Sequence, residues 1–161
     1  MNVVGILKSK DPSACDELQN DVKRENCKNG VFLEQAMSTN NPAPCDSITT
    51  SDAKDRCKTQ VFFNLATSLG NANECDKIKN LEMVKNCKNQ LVLNQAFANK
   101  SIDLCNKVLG NAEILSCKDN IYSILAHEKK NDSFCGKITN KQVKSQCEME
   151  VKSLSKTPVK K

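Results

Sequence analysis

Residues 11–57 read DPSACDELQNDVKRENCKNGVFLEQAMSTNNPAPCDSITTSDAKDRC. Cysteines stand at 15, 27, 45 and 57, so the gaps run 12, 18, 12. The alternation continues through Cys75, Cys87, Cys105, Cys117, Cys135 and Cys147. Ten cysteines therefore occupy two phases of a 30-residue period, which defines five repeats: 11–40, 41–70, 71–100, 101–130 and 131–160. Self-similarity at a fixed period of this size marks a repeat array.

Each repeat opens on Asp11, Asn41, Asn71, Ser101 or Asn131, all good helix N-caps. Pro12 and Pro42 follow two of these caps, where a helix tolerates proline best. Asn20, Thr50, Asn80, Gly110-Asn111 and Asn140 interrupt the pattern further on. These stop-and-restart residues predict a short first helix and a second one over about 21–38 and its equivalents.

The apolar residues keep helical spacing from the cysteines. Val31, Val61, Leu91, Ile121 and Val151 lie four residues after the second cysteine of each repeat, and Ala36, Ala66, Ala96 and Ala126 follow in four of them. Leu18, Ile48, Ile78, Val108 and Ile138 lie three residues after the first cysteine, which predicts a matching stripe on the first helix. No segment alternates with period two for long enough to argue a sheet. The expectation is an all-α chain of five αα-hairpins.

The two cysteines of one repeat flank the interhelix turn almost symmetrically. Cys15 lies about 7.5 Å down the first helix from Asn20 and Cys27 about 10 Å down the second. An antiparallel hairpin brings them to nearly equal height, within the ~7 Å between Cα atoms that a disulfide requires. Cys27 and Cys45 would differ in depth by about 12 Å. The predicted bonds are Cys15–Cys27, Cys45–Cys57, Cys75–Cys87, Cys105–Cys117 and Cys135–Cys147. Each closes a loop of about 13 residues, worth on the order of 3 kcal/mol by loop entropy. Such staples substitute for a large core in a chain with 4% aromatics and no Trp. Ten reduced core thiols are the competing reading. Zinc is disfavoured by a single histidine and the lack of any CxxC pair, and no metal or other cofactor is expected.

Persisting disulfides imply an oxidising compartment, so the expected location is secreted or cell-surface. Nineteen asparagines argue against the hyperthermophile exception. The opening MNVVGILKSK does not read as a signal peptide, since its apolar run is short and no basic residue precedes it. A mature or trimmed chain is expected. No apolar run reaches the ~18 residues of a membrane span. Residues 1–10 place Val3, Val4, Ile6 and Leu7 where the last turns of a second helix belong, as an N-terminal cap or the remnant of a preceding repeat. The repeats fill 11–152, and 153–161 reads as a basic tail.

The αα unit with its regular cysteine pair resembles the tetratricopeptide and Sel1-like class of solenoids, whose cysteine-rich bacterial members carry one disulfide per repeat. The resemblance rests on Cys15-x11-Cys27-x17-Cys45 and on Ala36, Ala66, Ala96 and Ala126, and spans 11–152. The period is 30 where tetratricopeptide repeats have ~34, and the Trp, Leu-Gly and Tyr of that motif are absent, as is the Sel1-like glycine and tyrosine pattern. The resemblance implies a right-handed-type αα-hairpin solenoid that binds peptides or proteins and does no catalysis.

No catalytic constellation appears in the sequence. His127 is the only histidine and reads as a solvated helix-end residue, and no phosphate-loop, dinucleotide or zinc-protease motif is present. Two rows could carry binding. Lys28, Lys58, Lys88 and Lys118 follow the second cysteine in four repeats, with Glu148 breaking the row. They are either a basic ladder for an anionic partner or a solvated surface row. Phe32, Phe62 and Tyr122 share one repeat position with Val92 and Lys152. They line a binding face or form core between repeats. Nucleic acid is disfavoured because aromatics are not interleaved with the lysines. The first repeat carries −3 and the last +3, which suits head-to-tail contact with a second copy. The sequence thus points to a binding or scaffold module for a protein, peptide or glycan, with a filament subunit as the alternative.

Overall fold

The computed structural model describes residues 10–155, and every regular element among them is helical. Five long helices recur at the predicted period: α1 (Asp21–Thr39), α2 (Ser51–Leu69), α3 (Leu81–Asn99), α4 (Asn111–Lys129) and α5 (Lys141–Ser155). Asn20 and Asn80 cap α1 and α3 by accepting from Lys23 N–H at 2.9 Å and Met83 N–H at 3.0 Å. Asn140 caps α5 by accepting from the N–H groups of Gln142 and Val143. The far ends close with a left-handed residue at Asn40, Gly70, Lys100 and Lys130. The next N–H then reaches back to the carbonyls of Ala36, Ala66, Ala96 and Ala126 at 2.9–3.0 Å, which satisfies carbonyls that the helix end would leave orphaned. Lys10 holds the same left-handed conformation at the same repeat position.

The first element of each repeat is shorter and tighter than the expected α-helix. It is a 3₁₀ segment at Pro12–Glu17, Ala43–Ser47, Ala72–Lys77 and Cys135–Lys137, and a single α turn at Ile102–Cys105. Asp11, Asn71 and Ser101 cap it, accepting from Ser13, Asn73 and Leu104 N–H, while Asn41 and Asn131 accept from Ala43 and Ser133 N–H in the turn that leads into it. Only a few residues separate the cap from the next breaker, too few for the costly nucleus of an α-helix, and i→i+3 bonds tighten the turn instead. Leu18, Ile48, Ile78 and Ile138 therefore do not extend a helical stripe. They leave the turn in extended conformation, each N–H bonded to the carbonyl of the cysteine three residues back. Their inward position survives: Ile48, Ile78, Val108 and Ile138 are buried and Leu18 is half-buried.

All five disulfides join the predicted partners, with Cα atoms 5.7 or 5.8 Å apart, and no cysteine is free. Each sulfur pair is core. Ala36 packs with Cys45, Ile48, Cys57 and Val61 of the following repeat. Ala96 does the same with Cys105, Val108, Cys117 and Ile121, and Ala126 with Cys135, Ile138, Cys147 and Val151. Alanine recurs there because its side chain is fully covered by the next repeat's staple and close packing leaves no room for more.

The chain divides into two compact bodies, with the boundary inside α3 after Cys87. Within each, polar side chains of a long helix hold the segment that leads into the following one. In the first body Glu25 accepts from Thr49 Oγ1 at 2.8 Å and Asp55 pairs with Lys79 at 2.7 Å. In the second, buried Asn89 exchanges two hydrogen bonds with the Leu109 backbone, accepting from its N–H at 2.7 Å and donating to its carbonyl at 2.9 Å. Buried Asp119 accepts from Thr139 N–H, Thr139 Oγ1 and Asn140 N–H at 2.8–2.9 Å. The helix of the fifth repeat runs to Ser155, so 153–155 are helical where a tail was expected. The expected cap at 1–9 and the tail from 156 lie outside the described residues.

Candidate functional site

The lysine row is drawn toward the staples. Each of these lysines follows the second cysteine, and in the first three repeats an aspartate (Asp16, Asp46 and Asp76) follows the first cysteine. Closing the disulfide sets the two beside each other. Lys28 Nζ lies 2.6 Å from Asp16 Oδ1 and Lys58 Nζ 2.7 Å from Asp46 Oδ1. The Lys58 hydrogen bond holds the Asp46 carboxyl below the usual carboxylate range. Lys88 and Lys118 are likewise half-buried. In the fourth repeat the aspartate is replaced by Asn106.

The aromatic row lies between repeats. Phe32 packs on the cluster around Cys45 and Cys57, and Tyr122 on the cluster around Cys135 and Cys147. Lysines of the following repeat cover their outer faces: Lys77 Nζ lies 5.8 Å from the Phe62 ring centre and Lys137 Nζ 5.7 Å from that of Tyr122. Those distances suit cation–π contact. His127, expected to be a solvated residue without an orienting partner, has one: Nε2 lies 2.8 Å from Glu150 Oε2 in the fifth repeat.

A groove of about 850 Å³ opens in the first body on the long-helix side of repeats one to three. That size falls within the range of ligand sites. Helical spacing builds it: Asn26, Gly30 and Leu33 face it from α1, and Arg56 and Gln60 from α2. Leu33, Ile48, Ala53 and Met83 give it an apolar lining. Asn26, Asn29, Thr59, Gln60 and Asn80 add uncharged donors and acceptors. Of its charged groups, Asp55 and Lys79 neutralise each other at 2.7 Å, while Asp52 and Arg56 stand a turn apart on α2.

Reading the two rows in sequence did not find this groove. Its polar residues stand at exposed or half-buried positions on and beside the long helices, where amides look like ordinary surface. The available signal was their concentration beside the second cysteines, at Asn26, Asn29 and Gln60. No protein-family model, curated protein or solved structure matches the chain.

Proposed function

We propose that the chain is a secreted or cell-surface, non-catalytic repeat protein that serves as a binding or scaffold module for a protein, peptide or glycan. The observation that carries this reading is the groove across three consecutive repeats, built from helix faces that the staples hold in register. Ten cysteines, all paired, suit an oxidising environment. Among the described residues no helix is long and apolar enough to cross a membrane. The reading includes an α-solenoid akin to the tetratricopeptide class, supported by the contact of three staples, Cys45–Cys57, Cys105–Cys117 and Cys135–Cys147, with the alanine of the preceding repeat.

Sedimentation velocity and negative-stain microscopy of the oxidised protein, at low and high salt, test the reading. A binding module stays dispersed at both. Filaments that dissolve on adding salt would support the alternative, a subunit joined through the acidic first repeat and the basic last one.

A further inference from the structure

We propose that the groove of the first body binds an extended peptide segment, with a carboxylate of that segment seated on Arg56. This deepens the binding-module reading and rests on it.

Three features of the groove select this ligand. Its walls are rich in side-chain amides, and Asn26, Asn29 and Gln60 each offer a donor and an acceptor. An extended peptide presents the matching pair, an N–H and a C=O, at every residue. The span also fits. Three neighbouring helices cover two interaxial spacings of ~8–10 Å, or roughly 16–20 Å. At ~3.3–3.6 Å per residue that accommodates five or six extended residues.

The third feature is charge. Arg56 is exposed, and among the described residues it makes no ion pair, Asp52 on the same helix included. The position just before the second cysteine is Asn26, Arg56, Asn86, Ser116 and Gln146 through the five repeats. A single charge has entered an otherwise neutral row, and it lies where the groove is. A guanidinium is the side chain best shaped to grip a carboxylate through two parallel hydrogen bonds. The lining is net neutral, with Asp52 and Asp55 against Arg56 and Lys79, and Asp55 and Lys79 are already paired, so the groove accepts one acidic group at Arg56 and disfavours a polyanion. A glycan fits less well, since no aromatic ring lines the groove to stack on a sugar face.

The test uses the full oxidised chain and a displayed library of random linear peptides, with a glycan array run in parallel. Selected peptides should share one Asp, Glu or free C-terminal carboxylate among neutral residues. Arg56→Ala should weaken a selected peptide on the order of 10-fold or more. Converting that peptide's acid to its amide should have the same effect, and the two changes together should add little beyond either one. The pair Asn26→Ala with Gln60→Ala should also weaken it, whereas Lys118→Ala in the second body should not. Circular dichroism confirms that these surface variants fold. Selected peptides indifferent to Arg56→Ala would overturn the groove assignment and leave the binding-module reading standing. Glycan hits without peptides, or no enrichment at all, would overturn it as well. Salt-sensitive filaments with no ligand of either kind would overturn the underlying reading.

Discussion

Asp119 offers the sharpest test of how one repeat is fastened to the next. Its side chain is buried at 4% exposure and accepts three hydrogen bonds from Thr139 and Asn140. Hydrogen bonds to a charged group contribute about 1.5–3 kcal/mol each. Thr139 and Asn140 are exposed, so their donors regain water when the carboxylate is removed, which offsets part of the loss. We expect Asp119→Ala to destabilise the protein by about 3 kcal/mol. Asp119→Asn should cost nearly as much despite its shape, because it replaces one acceptor oxygen with a donor facing other donors. Thr139→Val removes only the hydroxyl partner and should cost about 1 kcal/mol. The double variant should fall short of the sum, since the partners share one network. Urea unfolding of the oxidised protein, followed at 222 nm, gives the free energies. Amide exchange should show protection lost first in α5, because stability in a repeat array is largely nearest-neighbour. An Asp119→Asn variant as stable as the parent would refute the reasoning, and so would a loss below about 0.5 kcal/mol for Asp119→Ala.

Further outcomes follow from the same contacts. Replacing both Cys135 and Cys147 by alanine should cost about 3 kcal/mol in a thermal or urea melt, with the loss centred on the fifth repeat. Lys130 is left-handed with φ of 48°, a conformation a glycine adopts without strain. Lys130→Gly should therefore raise stability by about 0.5–1 kcal/mol, and a lower melting temperature would count against that reading. The Asp46 carboxyl is held low by Lys58. The stability it contributes is in place above the carboxyl's unfolded titration range and is lost as pH falls through the lowered folded value. In an NMR titration, Lys58→Met should return the Asp46 midpoint to the ordinary carboxylate range.

The repeat, the long helices and the disulfide pairing were legible because each is stated five times. Cysteine spacing fixes depth in a hairpin, and depth decides which sulfurs can meet. The opening elements depart from the sequence expectation for a physical reason. A good cap followed by proline signals a helix start, but it does not say whether the helix continues beyond one turn. Asn20, Thr50 and Asn140 leave room only for a 3₁₀ segment and an extended residue. The ties made by Asn89 and Asp119 were hidden for another reason. Two residues after a cysteine, they look like surface positions until the next repeat is laid over them.

That contrast bears on where recognition lies in such a chain. Whatever all five repeats share must serve the contact each makes with its neighbours, because that contact is what recurs. The cysteines and the opening caps are of this kind, the covered alanines recur in the four repeats that another repeat follows, and the aromatic positions that first suggested a binding face pack between repeats as well. A ligand of a few residues touches only part of the array, so its determinants need not recur and show as departures from the period. Arg56 departs from the neutral row Asn26, Asn86, Ser116 and Gln146. Gly30 stands where other repeats carry Gln60, Gln90, Asn120 and Glu150, despite a cost of about 1 kcal/mol for glycine inside a helix. Both lie in the one groove. Met149, by comparison, departs from the row Asn29, Thr59, Asn89 and Asp119 in the last repeat, and it is 63% exposed where Asn89 and Asp119 are buried against the segment that follows them. Placing Arg at the position of Asn86 should therefore not restore a selected peptide to an Arg56→Ala protein. Restoration there would mean that the charge acts through long-range attraction and not through the groove.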